Sequence, residues 1–157
     1  MKTTKGRNYL IFLLGFLGLG ALGGGGLLII SPCGNLIGMP LSMLEKSPFH
    51  SFFIPGIILF ILLGIAPCLL TFALIRKPAS PFAEKLNCYH DMHWSWTYCI
   101  YMAFMLIAWI QIEMVFIQAI SWLHTFYMFF AVVILFVALL PTVRDLYKNH
   151  SNKITNL

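Results

Sequence analysis

Four apolar stretches dominate this chain, and each is long enough to cross a bilayer as a helix. They run from about Tyr9 to Ile30, Phe52 to Ile75, Trp94 to Ile117 and Trp122 to Leu140. A hydrocarbon core about 30 Å thick is spanned by ~20 helical residues, and a helix satisfies its own backbone polar groups there. The third and fourth stretches are separated only by the residues around Gln118 to Ser121. One helix from Trp94 to Leu140 would be about 70 Å long at ~1.5 Å per residue. That exceeds two bilayer cores, so the chain must turn near Ser121. The expected fold is all-α, a four-helix transmembrane bundle forming a single domain over residues 1–157.

Composition excludes the soluble alternatives. Hydrophobic residues make up 60% of the chain and charged residues 10%, against about 25% charged in an ordinary globular domain. So few charges cannot clothe a water-facing surface. The first apolar run follows a basic start, MKTTKGR, as a signal peptide would. It is longer than an h-region of ~7–15 residues and no A-x-A site follows it, so it is expected to remain as the first span.

The net charge is +5, but no basic patch with interleaved aromatics suggests nucleic acid. The basic residues instead encode orientation. Lys2, Lys5, Arg7, Arg76, Lys77, Lys85, Arg144, Lys148 and Lys153 fall on one side of the four spans and only Lys46 on the other, nine against one. The positive-inside rule then puts both termini in the cytoplasm and the loop from Ser31 to Ser51 outside, structured rather than slack. The expected location is a cell membrane, crossed four times.

The third run contains the main functional clue, AWIQIEMVFIQAI, where Gln111, Glu113 and Gln118 interrupt apolar sequence. Counting from Trp96, Glu113 lies 17 residues on, about 25 Å along the helix and within the outer leaflet. Gln111 and Gln118 share a face that Glu113 does not. Asn35, Glu45, His50 and His124 fall at the same outer level, which suggests a polar outer vestibule beneath the loop. The candidate ligand-binding or proton-coupling residues are Glu113, Gln111, Gln118, His124, Glu45 and His50. The plainer reading makes Glu113 a structural acid bonded to a neighbouring helix.

Other expectations are local. Gly20 with Gly24, and Ala21 with Gly25, have the four-residue spacing that lets helix backbones approach, within the chain or between two copies. Four consecutive glycines, Gly23 to Gly26, predict fraying at the end of the first span. Pro67 predicts a kink in the second. Pro40 opens a short helix in the outer loop and Phe82 to Leu86 one in the inner loop. Asp91 is the expected N-cap of the third span, and Trp94, Trp96 and Tyr98 belong to an interfacial aromatic belt.

The four cysteines pair poorly with chemistry. Cys33 has no partner on its own side and no C-x-x-C exists. CYHDMH gathers Cys88, His90, Asp91 and His93, all metal-donor types, but C-x-H-x-x-H is no established zinc spacing, so they are weak candidates and no metal or other cofactor is expected. No G-x-S-x-G, P-loop or H-E-x-x-H occurs, which argues against an enzyme.

The segments GMPLSMLEKSPFHSFFIPGIILFILLGIAP, HWSWTYCI, AWIQIE and LLPTVRDLY together resemble those of small uncharacterised bacterial four-span membrane proteins. The resemblance runs from Gly38 onward. It implies four helices in an inner membrane and brings no activity and no catalytic residues. The expected function is therefore non-enzymatic, an accessory subunit or a small-ligand or lipid-binding module. Its partners would be the lipid bilayer and a further copy or another membrane protein. The alternative is a proton-coupled small-molecule transporter using Glu113.

Overall fold

The computed structural model describes residues 4–118 and 121–149. Lys2, Lys153 and part of the expected turn near Ser121 lie outside the described residues. Four helices are long and apolar enough to span a membrane: Lys5–Ile30, Phe53–Arg76, Trp94–Ile117 and Trp122–Leu139. Their bounds fall close to those read from the sequence, the first beginning a turn earlier. Short helices at Pro81–Lys85 and Pro141–Tyr147 complete the fold, and the loop after the first span carries 3-10 turns at Asn35–Ile37 and Leu41–Leu44. Gly34 and Gly38 hold left-handed φ of 76° and 66°, and they give this loop its tight shape. A β-carbon on Gly34 would meet the Met39 carbonyl at 2.0 Å.

The first and second spans pack closely, as do the third and fourth. Gly18, Ala21 and Gly25 are buried on the first span. A β-carbon on Gly25 would lie 2.8 Å from Phe60 N and 2.9 Å from Gly56 O, and one on Gly18 3.0 Å from Gly64 O. Small residues on both partners thus bring two backbones together, within one chain. Gly20 and Gly24 behave differently. A β-carbon on either would meet nothing closer than Tyr127 Oη at 3.6 Å or Leu59 Cδ2 at 3.8 Å, so this pair does not form the close helix contact the spacing suggested. The expected fraying at Gly23 to Gly26 is absent, because the helix continues to Ile30. Packing of Gly25 and Leu28 against the second span outweighs the weak propensity of glycine.

Pro67 lies within the second span without ending it. The residues just before it, Leu59–Ile65, form a π-helical stretch that leads into α-helix again from Ala66 to Arg76. Proline lacks an N–H and its ring crowds the carbonyl four residues back. Widening the preceding turns accommodates both defects. Thr71 Oγ1 then donates to Pro67 O at 2.9 Å.

The end of the bundle where the described chain begins and ends is tied by hydrogen bonds. Asn87 is buried. Its Nδ2 donates to Glu84 Oε2 and to Met92 O, both at 2.8 Å, and its Oδ1 accepts from the Thr97 hydroxyl and from Tyr89 N–H. Glu84 Oε1 accepts from Trp94 N–H at 3.3 Å. Tyr147 Oη donates to Leu74 O at 2.8 Å and Trp96 Nε1 to Ala138 O at 2.7 Å. His93, not Asp91, caps the third span: its Nδ1 accepts from Ser95 N–H at 3.3 Å. The Asp91 carbonyl instead accepts from Asn149 N–H at 2.8 Å.

Candidate ligand cavity at the loop end of the bundle

Where the two helix pairs meet, at the end closed by the Ser31–Phe52 loop, lies a cavity of about 450 Å³. All four spans contribute to it. Leu17, Gly20, Ala21, Gly24 and Leu28 come from the first and Pro55, Leu59 and Leu63 from the second; Trp109, Glu113 and Phe116 come from the third, and His124 and Tyr127 from the fourth. Met39, Met43 and Leu44 from the loop form the roof. Gly20 and Gly24 thus serve the cavity by leaving room, whereas Gly25 serves packing.

The roof is held by an apolar cluster of its own, in which Leu44 and Phe52 pack with Leu28. It is also clasped to the third span. Lys46 Nζ donates to Gln118 Oε1, and the Phe49 and Phe116 rings meet edge to face with centroids 5.9 Å apart. Gln118 adopts left-handed φ of 50° as the C-cap of its helix.

The polar side of the cavity is built on a helix cap. Ser121 N-caps the fourth span, its Oγ accepting from Leu123 N–H at 3.2 Å. In return His124 Nδ1 accepts from Ser121 N–H at 3.1 Å, closing a capping box. That bond fixes the neutral tautomer, leaving the proton on Nε2. Nε2 faces Glu113 Oε2 at 4.0 Å, and the Glu113 side chain remains 28% accessible. One turn before Glu113, the Trp109 indole N–H is buried and interacts with the same carboxyl, although no acceptor lies in full hydrogen-bonding geometry. Two donors therefore face one acid at the edge of an otherwise apolar chamber.

Of the six residues proposed from the sequence, the structure brings Glu113 and His124 together on the cavity wall. Gln118 belongs to the clasp and does not line the cavity. Gln111, Glu45 and His50 are exposed and do not line it either. Sharing a level along the chain does not decide which way each side chain points around the bundle. Trp109 and Tyr127 were missed. The i, i+4 spacing of Trp109 and Glu113 was a usable signal, whereas nothing local aims Tyr127 inward. The CYHDMH residues do not converge. Among the described residues no three His, Cys, Asp or Glu side chains could hold one metal ion. Cys88 N–H donates to Tyr101 Oη at 3.2 Å and His93 is occupied as a cap. Cys33, Cys68, Cys88 and Cys99 are all free thiols.

Over the described residues the protein is all-helical, with four helices long and apolar enough, by length and composition, to cross a membrane, the architecture of multi-pass helical membrane proteins. Comparison of the chain with protein-family profiles, with curated protein sequences and with solved structures finds no match.

Proposed function

We propose that this protein resides in a bacterial inner membrane with both termini in the cytoplasm. Its function there is to bind a small amphipathic molecule in the loop-end cavity, without catalysing a reaction. The observation that carries this reading is the cavity itself. Its volume of about 450 Å³ falls within the ~300–1,000 Å³ typical of small-molecule sites, and its walls have the usual makeup of apolar side chains with a few convergent polar groups. The skewed distribution of lysine and arginine supports the orientation.

Native mass spectrometry of the gently extracted protein tests the reading. The wild type should carry a bound small molecule, and Gly24→Leu, which fills the cavity from its wall, should lose it while still folding. A wild-type protein that is bare under conditions that retain annular lipid would refute the proposal.

A second reading, transport coupled to protonation of Glu113, draws on the π-helical stretch. Leu59 and Leu63 lie both in that stretch and in the cavity wall, and π segments recur at functional sites. It predicts that Glu113→Gln abolishes coupled flux in proteoliposomes while leaving the fold intact.

A further inference from the structure

The Glu113 carboxyl faces His124 Nε2 at 4.0 Å, a ring whose Nδ1 accepts from Ser121 N–H, on the wall of the cavity. Among the described residues, neither lysine nor arginine lines it. Lys46, the basic residue of the roof loop, is spent on Gln118. The two groups that face the carboxyl, His124 Nε2–H and the Trp109 indole N–H, are donors of a neutral kind, and part of the side chain stays accessible. The aromatic residues Trp109, Phe116 and Tyr127 line the same cavity, a residue type whose ring faces attract organic cations. A carboxylate in low-dielectric surroundings interacts strongly with an opposite charge. An anionic head group would meet repulsion there.

We infer that the occupant is an amphipathic organic cation, with an amine or quaternary ammonium head beside Glu113 and a hydrocarbon tail running toward Leu17, Leu59 and Leu63. This rests on the reading of the cavity as an amphiphile site and names the chemical class that fits it.

The test uses the full-length chain carrying Gly24→Cys, in nanodiscs of zwitterionic phosphatidylcholine. Occupancy is read as protection of that cysteine from a maleimide, located by peptide mass, so that simple partition into lipid does not register. The probes are octyltrimethylammonium, octanol and octanoate, which share a tail and differ in head. The ammonium should protect at a concentration at least about tenfold below that of octanol, and octanoate should be weakest. Glu113→Gln should erase the preference, bringing the ammonium to within about twofold of octanol. Equal protection by all three heads, or a preference that survives Glu113→Gln, would overturn the cationic assignment and leave the amphiphile reading standing. No protection by any probe would remove both. If Glu113→Gln does not fold, the ranking of the three probes on the parent protein decides the matter.

Discussion

Asn87 uses both of its amide hydrogens and its carbonyl oxygen, and so joins the segment before the third span to that span's first turn. Replacing it with alanine leaves the Thr97 hydroxyl, the Met92 carbonyl and Tyr89 N–H each short of a partner. A loss of about 2–3 kcal/mol is expected, read from the unfolding midpoint in detergent. Its neighbour His93 gives a pH signature. Burial holds its imidazole below the ordinary value of 6.5; Lys77 acts in the same direction and Glu84 against it. The unfolded chain therefore takes up a proton that the folded chain resists. The contribution of His93 to stability is complete above about pH 6.5 and is lost as pH falls through its folded value. Protonation would also remove the lone pair that caps Ser95 N–H. The wild type should lose thermal stability between pH 7.5 and 5.5, and His93→Gln should flatten that part of the profile. None of this network could be read from the sequence. Asparagine in a short polar connection is an ordinary turn former, and nothing local distinguishes a buried one from a solvated one.

At the scale of elements, the glycines of the first span divide by the direction each faces. Gly25→Ala drives a methyl group into the backbone of Gly56 and Phe60, which cannot rotate away, and should cost about 2–3 kcal/mol. Gly24→Ala meets only ordinary contact and should be neutral or gain up to about 1 kcal/mol from helix propensity. Paired thermal melts of the two variants would separate packing from composition. The helices themselves were legible because the length of an apolar run is a one-dimensional property. Their faces were not. Leu14 is fully buried and Leu19 is exposed, yet both sit in equally apolar sequence, because a lipid-facing surface is as greasy as a core. Hence neither the inward turn of Gly20 and Gly24 nor the outward turn of Gln111 could be read from the sequence.

At the scale of the molecule, Lys5–Ile30 begins beside the Pro141–Tyr147 helix. A β-carbon on Gly6 would touch Val143 Cγ2 at 2.7 Å, so both ends of the described chain share one end of the bundle. Exposed Cys33 lies in the roof loop and exposed Cys88 near the terminal end. In intact cells a membrane-impermeant maleimide should label Cys33, with Cys88 reacting only after permeabilisation. The reverse pattern would invert the proposed topology. The spans also differ in reach. At ~1.5 Å per residue the first, of 26 residues, is about 39 Å long, while the fourth, of 18, is about 27 Å and stops where Leu140 leaves helical geometry before Pro141. Without its basic first turn the apolar part of the first span, Tyr9 to Ile30, covers about 33 Å, slightly more than a hydrocarbon layer of about 30 Å, while the fourth falls short of it. The protein should tilt its long helix and pinch the lipid beside its short one, and thin membranes should harbour it at less elastic cost than thick ones.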